Sequence, residues 1–490
     1  MEKPPLLYWL TAISFALFGE SEWSARLVPA LSSLSCVALI LWFSKKNERV
    51  YAGRLAALMF ISGLGVTAMS RTLMFDMLLT ALLTASLMGA YFFLTAGSKK
   101  SWYWSLAMLA LALLAKGFVA IILFSVVIGA YVVCISASVG DFFRRISNLF
   151  DRRALGIFCV IAVPWHMAAM FAEPVFAWFY FINEHILRFL GKREPHDYYA
   201  GAWWYYLPRM IMYLFPWSFF LPVLFFAKSN VNKFKPLQWF LAAAWIMPVL
   251  FFSLSSAKAN YYLVVVMPVA ALQLSYWLED CDYGGRIGAL ITAMFLGGVL
   301  AGLLYWLQYS NQPWLDSVLV LGQSGRYFVQ LCLGLMLVVT VVIGWLNVHW
   351  SNTFVAAYAI VPAILTAMLL QLVQLSSDWT SALPLAEELQ NKQSERQVFF
   401  YKIFENKSSL PFYLKKTVNV LESRSSDLFW GDRLHRNDIT WTVDKFVRLS
   451  EQKKIALIVM NQDIDDAESK IYLKQFRKYK KIGNATLFLN

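Results

Sequence analysis

Apolar residues run in long, nearly unbroken stretches through the first three quarters of the chain, parted by short loops that hold most of the charges. A helix needs about 20 such residues to cross a bilayer. The pattern predicts spans over 24–44, 52–69, 73–96, 102–115, 117–137, 154–172, 209–227, 237–254, 260–278, 287–308, 327–346 and 352–374, twelve in all. The stretch 4–19 is apolar but short for a span. Its Pro-Pro start and its Trp9, Phe15 and Phe18 suit a helix lying in the membrane interface. After residue 374 the pattern changes. Gln397–Phe404, Thr417–Leu421, Lys454–Met460 and Ala485–Leu489 read as strands, Ser409–Lys416 as a short helix and Ala467–Lys480 as a basic helix. The expected fold is therefore an α-helical polytopic membrane domain over 1–374, with a soluble α/β domain over 375–490.

Composition sharpens this division. Of the 490 residues, 59% are hydrophobic and 15% charged, well below the quarter usual in soluble proteins. The charged residues number 39 in 1–374 and 34 in 375–490, so the tail alone has an ordinary soluble content. The formal net charge of +13 does not require a nucleic-acid partner, because many cations sit in the short loops where topogenesis places them. One set of loops carries 14 of them, among them Lys45, Lys46, Arg49, Arg144, Arg145, Arg152 and Arg153. The opposite set carries 8, which makes the first side cytoplasmic and turns the 173–208 loop and the tail outward. The five cysteines show no Cys-x-x-Cys spacing, so neither a disulfide framework nor a zinc knuckle is indicated.

Ionisable residues at span ends are costly and are functional candidates by default. On the outward side they gather in Glu2-Lys3-Pro4-Pro5, Arg71…Asp76, Lys116-Gly117, Glu184-His185…Arg188 and Lys258…Tyr262. Several cations with a few carboxylates suit an anionic phosphate joined to a group that leaves or is deprotonated. Each stretch also has a plainer explanation. Asp76 in a first helical turn is favoured by the helix dipole, and Glu184 with Arg188 has the i,i+4 spacing of a helical salt bridge. His185 and Arg188 share a helical face, whereas Lys258 and Tyr262 also fit a snorkelling cation and an interfacial ring. His166 and His349 read as structural.

The ordered set of these stretches resembles a known family. Glu2-Lys3-Pro4-Pro5-Leu6-Leu7-Tyr8-Trp9, Glu22-Trp23-Ser24-Ala25-Arg26-Leu27, Leu114-Ala115-Lys116-Gly117, Glu184-His185-Ile186-Leu187-Arg188-Phe189, Phe215-Pro216-Trp217 and Leu410-Pro411-Phe412-Tyr413-Leu414 are similar to the aminoarabinose–lipid A transferases. These belong to the protein-O-mannosyltransferase superfamily of GT-C glycosyltransferases. The resemblance implies an enzyme of the bacterial inner membrane with a periplasmic tail. It would move a sugar, with inversion, from a polyprenyl-phosphate donor to a lipid A-like, glycan or protein acceptor. By resemblance Lys3, Arg188 and Tyr262, with Arg71, Lys116 and Lys258 behind them, meet the donor phosphate. The resemblance makes Asp76 a catalytic residue as the family's second functional aspartate, which orients the acceptor or the other acid, and Glu2 with His185 matches a pair that binds a divalent metal, zinc. Family members carry a first span and an outer loop with the acid that serves as general base ahead of the Glu-Lys-Pro-Pro stretch, whereas here Met1 stands directly before Glu2, so that Asp76 or Glu184 would have to substitute. The expectation drawn from this is a start assigned too late. A truncated relic or binding protein is the alternative, and a transporter or lipid flippase is a more distant one, because no internal repeat is visible.

Overall fold

The computed structural model describes residues 3–195, 201–221, 235–280, 294–299, 301–303, 305–306, 323–349, 360–375, 377–435 and 438–490. It divides into two compact units, one spanning Met1–Tyr309 and Gln330–Ala367, the other having Met368–Asn490 as its main part.

The first unit is helical. Its ordered amino-terminal part consists of α1 Leu6–Phe18, α2 Glu22–Lys46, α3 Val50–Ser62, α4 Leu64–Met69, α5 Phe75–Ala96, α6 Lys99–Lys116, α7 Val119–Ile135, α8 Val139–Asn148 and α9 Arg152–Ala172. Among the described residues, five helices are long and apolar enough to cross a membrane: Glu22–Lys46, Phe75–Ala96, Arg152–Ala172, Pro236–Leu254 and Asn260–Asp280. The expected spans 209–227, 287–308 and 352–374 lie partly outside the described residues. The run 52–69 is not one helix. It breaks at Gly63, which has an extended backbone, and the Leu64 amide bonds the distant Phe215 carbonyl at 2.9 Å.

Two helix pairings fix the functional end of this unit. Helices α5 and α6 form an antiparallel hairpin across Gly97, whose left-handed φ of 67° closes α5. The pair is drawn tight where the Ser105 hydroxyl donates to the Ser86 carbonyl at 2.7 Å. The start of α5 and the end of α6 therefore meet at one end. At the other end the Tyr91 hydroxyl bonds Asn47 at 3.2 Å, and buried Arg49 pairs with Glu279 at 2.8 Å and with Asp280. Fifteen residues of helix separate Tyr91 from Asp76, about 22 Å. The loop after Lys46 and the turn before Lys99, two of those grouped by charge in the sequence, thus sit at the end opposite Asp76.

In the second unit six strands form a sheet: β1 Gln397–Tyr401, β2 Asn419–Leu421, β3 Thr440–Trp441, β4 Ile455–Met460, β5 Arg477–Ile482 and β6 Ala485–Leu489, in the order β3-β2-β1-β4-β6-β5. The first four in that order are parallel and the last two antiparallel. Alternate residues feed two cores. Phe400, Ala456, Ile458 and Leu487 pack with helices Leu383–Lys392 and Leu410–Leu414, and Phe399, Leu457, Val459 and Phe488 with helix Val443–Gln452. Both faces are covered, as a parallel sheet requires. In this unit one expectation fails: Ala467–Lys480 is not a basic helix. Its second half is the edge strand β5, whose lysines and arginine are exposed, a common protection of sheet edges against further pairing.

Candidate active site

Asp76 opens α5 and Lys116 closes α6, so the hairpin brings them into an ion pair, with Asp76 only 3% exposed. Gly117 follows with φ 107°, and a Cβ there would meet the Tyr180 hydroxyl at 2.8 Å and His185 Nε2 at 3.3 Å. Only glycine lets the chain turn this closely against His185. The Lys116 ammonium also lies 4.6 Å from the Tyr262 ring centroid, and Tyr262 stacks on Phe252 at 4.8 Å.

The second half of the site comes from the π-helical segment Trp178–Leu187. Its wider turn puts His185 Nδ1 against the Tyr180 carbonyl, five residues back, while His185 Nε2 accepts the Phe118 amide at 3.1 Å. Burial holds the imidazole below its ordinary pKa and keeps it neutral. Glu184 is the centre of the charge arrangement. Its side chain is 2% exposed and receives Lys3 at 3.1 Å and Arg188 at 3.2 Å on Oε2, and Arg193 at 2.6 Å on Oε1. Burial alone would raise this carboxyl, but Lys3, Arg193 and Arg188 outweigh it and bring it down to about 2. A carboxylate so held is a fixed anion and not a proton acceptor at neutral pH. Asn183 and Glu194 exchange hydrogen bonds of 2.8 and 3.0 Å that pin the Arg193 loop in place.

These groups open onto a cavity of about 500 Å³ that contains Lys3, Asp76, Lys116, Glu184, His185, Arg188 and Tyr262 and is otherwise lined mainly by apolar side chains, among them Ile122, Phe189 and Phe251. Three cations face two carboxylates at the polar end. Two expected phosphate ligands lie elsewhere. Arg71 donates to the Thr67 carbonyl at 2.9 Å at the end of α4. Lys258, 3% exposed, donates to the Ser253 and Ser255 carbonyls at 2.8 and 2.6 Å, and its burial lowers its pKa. Both satisfy carbonyls left open at or just beyond a helix end. Glu2 lies outside the described residues. His166 is structural, bonding Ala162 at 2.7 Å and the Tyr180 hydroxyl at 3.3 Å. Arg193 belongs to the site although the sequence offered only a loop cation, since nine residues from Glu184 is no helical spacing.

The metal expectation can be set against this geometry. Both ring nitrogens of His185 are engaged, so its lone pair is not available to an ion as arranged. Among the described residues no group of three or more metal-binding side chains occurs. Glu2, the other expected ligand, lies outside the described residues, and no step below passes through a metal.

The geometry defines a polytopic helical fold with an ion-lined cavity at the end of its bundle, and comparison with known proteins agrees. Residues 2–165 match the family described as dolichyl-phosphate-mannose-protein mannosyltransferase. The chain is 28% identical over 322 residues to the undecaprenyl phosphate-alpha-4-amino-4-deoxy-L-arabinose arabinosyl transferase of Pectobacterium atrosepticum, covering 60% of this chain and 56% of that one. The similarly named Yersinia pestis protein is 28% identical over 356 residues, covering 67% and 62%. The chain thus spans about three fifths of the length of the curated relatives it matches. The crystal structure of ArnT from Cupriavidus metallidurans bound to undecaprenyl phosphate shares the fold, with a TM-score of 0.81, 21% identity and coverage of 100% of this chain and 88% of that one. The chain therefore has the ArnT fold, and its sequence resembles the aminoarabinose transferases among the GT-C glycosyltransferases.

Proposed function

We propose that the chain is an inverting glycosyltransferase of the bacterial inner membrane. It would take a sugar from a polyprenyl-phosphate donor and pass it to a lipid or glycan acceptor at the outer face. The observation that carries this reading is the single cavity joining an apolar wall to Lys3, Lys116, Arg188 and Asp76. A polyprenyl phosphate has the same two-part chemistry, and the Cupriavidus structure with undecaprenyl phosphate supports it. The outward orientation of the site and of the second unit rests on the loop charges.

In the reaction the acceptor oxygen attacks the anomeric carbon from the face opposite the phosphate. The new carbon–oxygen bond forms as the old one breaks, and the electron pair leaves on the phosphate oxygen. The phosphate gains one negative charge as it departs. Lys3 and Arg188, already oriented by Glu184, and Lys116, oriented by Asp76, meet that charge without reorganising. The acceptor's proton must go to a base within hydrogen-bond reach. Glu184 has both oxygens committed to cations, which leaves Asp76 as the carboxylate of the described cavity for this role.

The test is transfer by the purified chain in nanodiscs, given an undecaprenyl-phosphate sugar and a lipid acceptor and followed by mass spectrometry. Asp76→Asn is expected to stop turnover while leaving donor binding largely intact. Wild-type chain that binds the donor but never transfers would be a lipid-phosphate-binding protein. A chain that neither binds nor transfers would sink the reading.

A further inference from the structure

The second unit has a pair of adjoining cavities that the transfer reaction does not use. One, of about 420 Å³, is polar and carries Lys416, Lys453, Lys454 and Arg396 against a single acid, Glu395. The other, of about 490 Å³, is walled by Phe404, Pro411, Leu428 and Ile439 with Lys415 on its lining. Both include Lys416, Thr417 and Val418, so the two lie on either side of the stretch that leads into β2. Lys415, Lys416 and Thr417 are exposed, so this junction opens to solvent. Phe404, Leu428 and Ile439 pack on the core from its rim and are only partly buried. A domain of soluble composition thus leaves an apolar recess open beside a cluster of cations.

The backbone adds a separate observation. Lys415 ends helix Leu410–Leu414 in the left-handed conformation, with φ 50°. Glycine or asparagine is the usual residue there, because a Cβ is disfavoured. The sequence places a cation at that strained position, at the mouth of the apolar recess. Arg396 is held by Asn490 and the Ile455 carbonyl, and Lys454 has only a loose exposed contact with Glu395 at 3.6 Å. Lys416 and Lys453 are exposed.

We infer that this double cavity binds a phosphorylated lipid, its hydrocarbon chain along Phe404, Leu428 and Ile439 and its phosphate against Lys415, Lys416 and Lys453. An acidic peptide fits less well. Its amide groups would face hydrocarbon side chains and lose their hydrogen bonds, whereas an acyl chain has no such groups. The inference stands whether or not the cavity of the first unit performs transfer.

The test uses the full chain in nanodiscs with a phosphatidic acid carrying a diazirine near its chain end. Phosphatidylcholine with the same diazirine is the control, and labelled peptides are mapped by mass spectrometry. The anionic probe is expected to label peptides spanning 404–411 and 428–439. Lys416→Gln and Lys453→Gln should each weaken that labelling about five-fold, the effect of losing one cation near an anionic headgroup. Lys415→Gly should weaken it similarly while leaving the domain at least as stable, since glycine relieves the left-handed backbone. Equal labelling by the zwitterionic probe, insensitivity to all three substitutions, displacement by inorganic phosphate alone, or no label on these peptides would each overturn the inference. Labelling of peptides 118–122 and 181–190 reports on the first unit's cavity and is read separately.

Discussion

Glu184→Gln isolates the organising charge of the site. The substitution keeps the shape of the side chain but removes the anion that three cations share at 2.6 to 3.2 Å. Two routes give its cost. Breaking a buried ion pair by removing one partner costs about 3–5 kcal/mol. The depression of the carboxyl from 4.5 to about 2 by its three cations corresponds to about 3 kcal/mol. The folded pKa lies below the unfolded one, so this stability is complete above the unfolded value and is lost as pH falls from near 4.5 toward about 2. Denaturant unfolding in detergent, followed by tryptophan fluorescence, should therefore show a gap between wild type and variant that is constant from about pH 6 to 8. The gap should close as the pH drops through the acid range. Turnover should fall by about 10²-fold once Lys3 and Arg188 lose their common anchor, the usual consequence of an ångström-scale misplacement. A variant as stable as wild type at neutral pH, or a gap that persists undiminished into strong acid, would refute the reasoning.

Four further outcomes are expected. Lys116→Met should destabilise the helical unit by about 3 kcal/mol by leaving Asp76 buried and unpaired, and adding Asp76→Asn should recover much of that loss; strictly additive losses in the double variant would deny the pair. Lys3→Ala should raise the donor KM, and an unchanged KM would remove Lys3 from the phosphate site. Lys258→Met should lower stability through the two freed carbonyls yet leave donor KM alone; a raised KM would return Lys258 to the site. In the second unit, hydrogen bonds from Lys402 and Tyr401 draw Asp466 down to about 2. Its stabilising effect is thus present above about 3.8 and lost as pH falls toward about 2. Asp466→Asn should speed hydrogen exchange in 397–402 at neutral pH but not in strong acid, and equal effects at both would contradict this.

What the sequence disclosed and what it withheld follow from the reach of each interaction. Hydrocarbon forces long apolar runs and internally satisfied backbones, so α2, α5 and α9 were legible from periodicity and length alone. The break at Gly63 was not, because the carbonyl that receives the Leu64 amide belongs to Phe215, 151 residues further on. The same distinction runs through the site. Glu184 and Arg188 are a local pair and met as their spacing predicted. Asp76 and Lys116 met because a single left-handed Gly97 folds α5 back against α6. Arg71, Lys116 and Lys258 all stand at or just beyond a helix end, where cations are drawn to open carbonyls, and nothing in their neighbours tells them apart. Only the tertiary fold gives Lys116 a carboxylate across the hairpin and leaves the other two to carbonyls. Arg193 was hidden for the same reason, since the loop pinned by Asn183 and Glu194, not a helical repeat, carries it back to Glu184. The misread basic helix, unlike the break at Gly63, had a local signal against it. Lysine and arginine are good helix formers, and that preference carried the expected helix on through Arg477–Lys480. Gly483-Asn484 ahead of Ala485–Leu489 is a two-residue hairpin signal, and β5 pairs across it with β6 from Ile482–Ala485 outward. Turn chemistry outweighs helix propensity when a strand-forming run lies directly beyond the turn, because the run supplies the ladder that the propensity does not count.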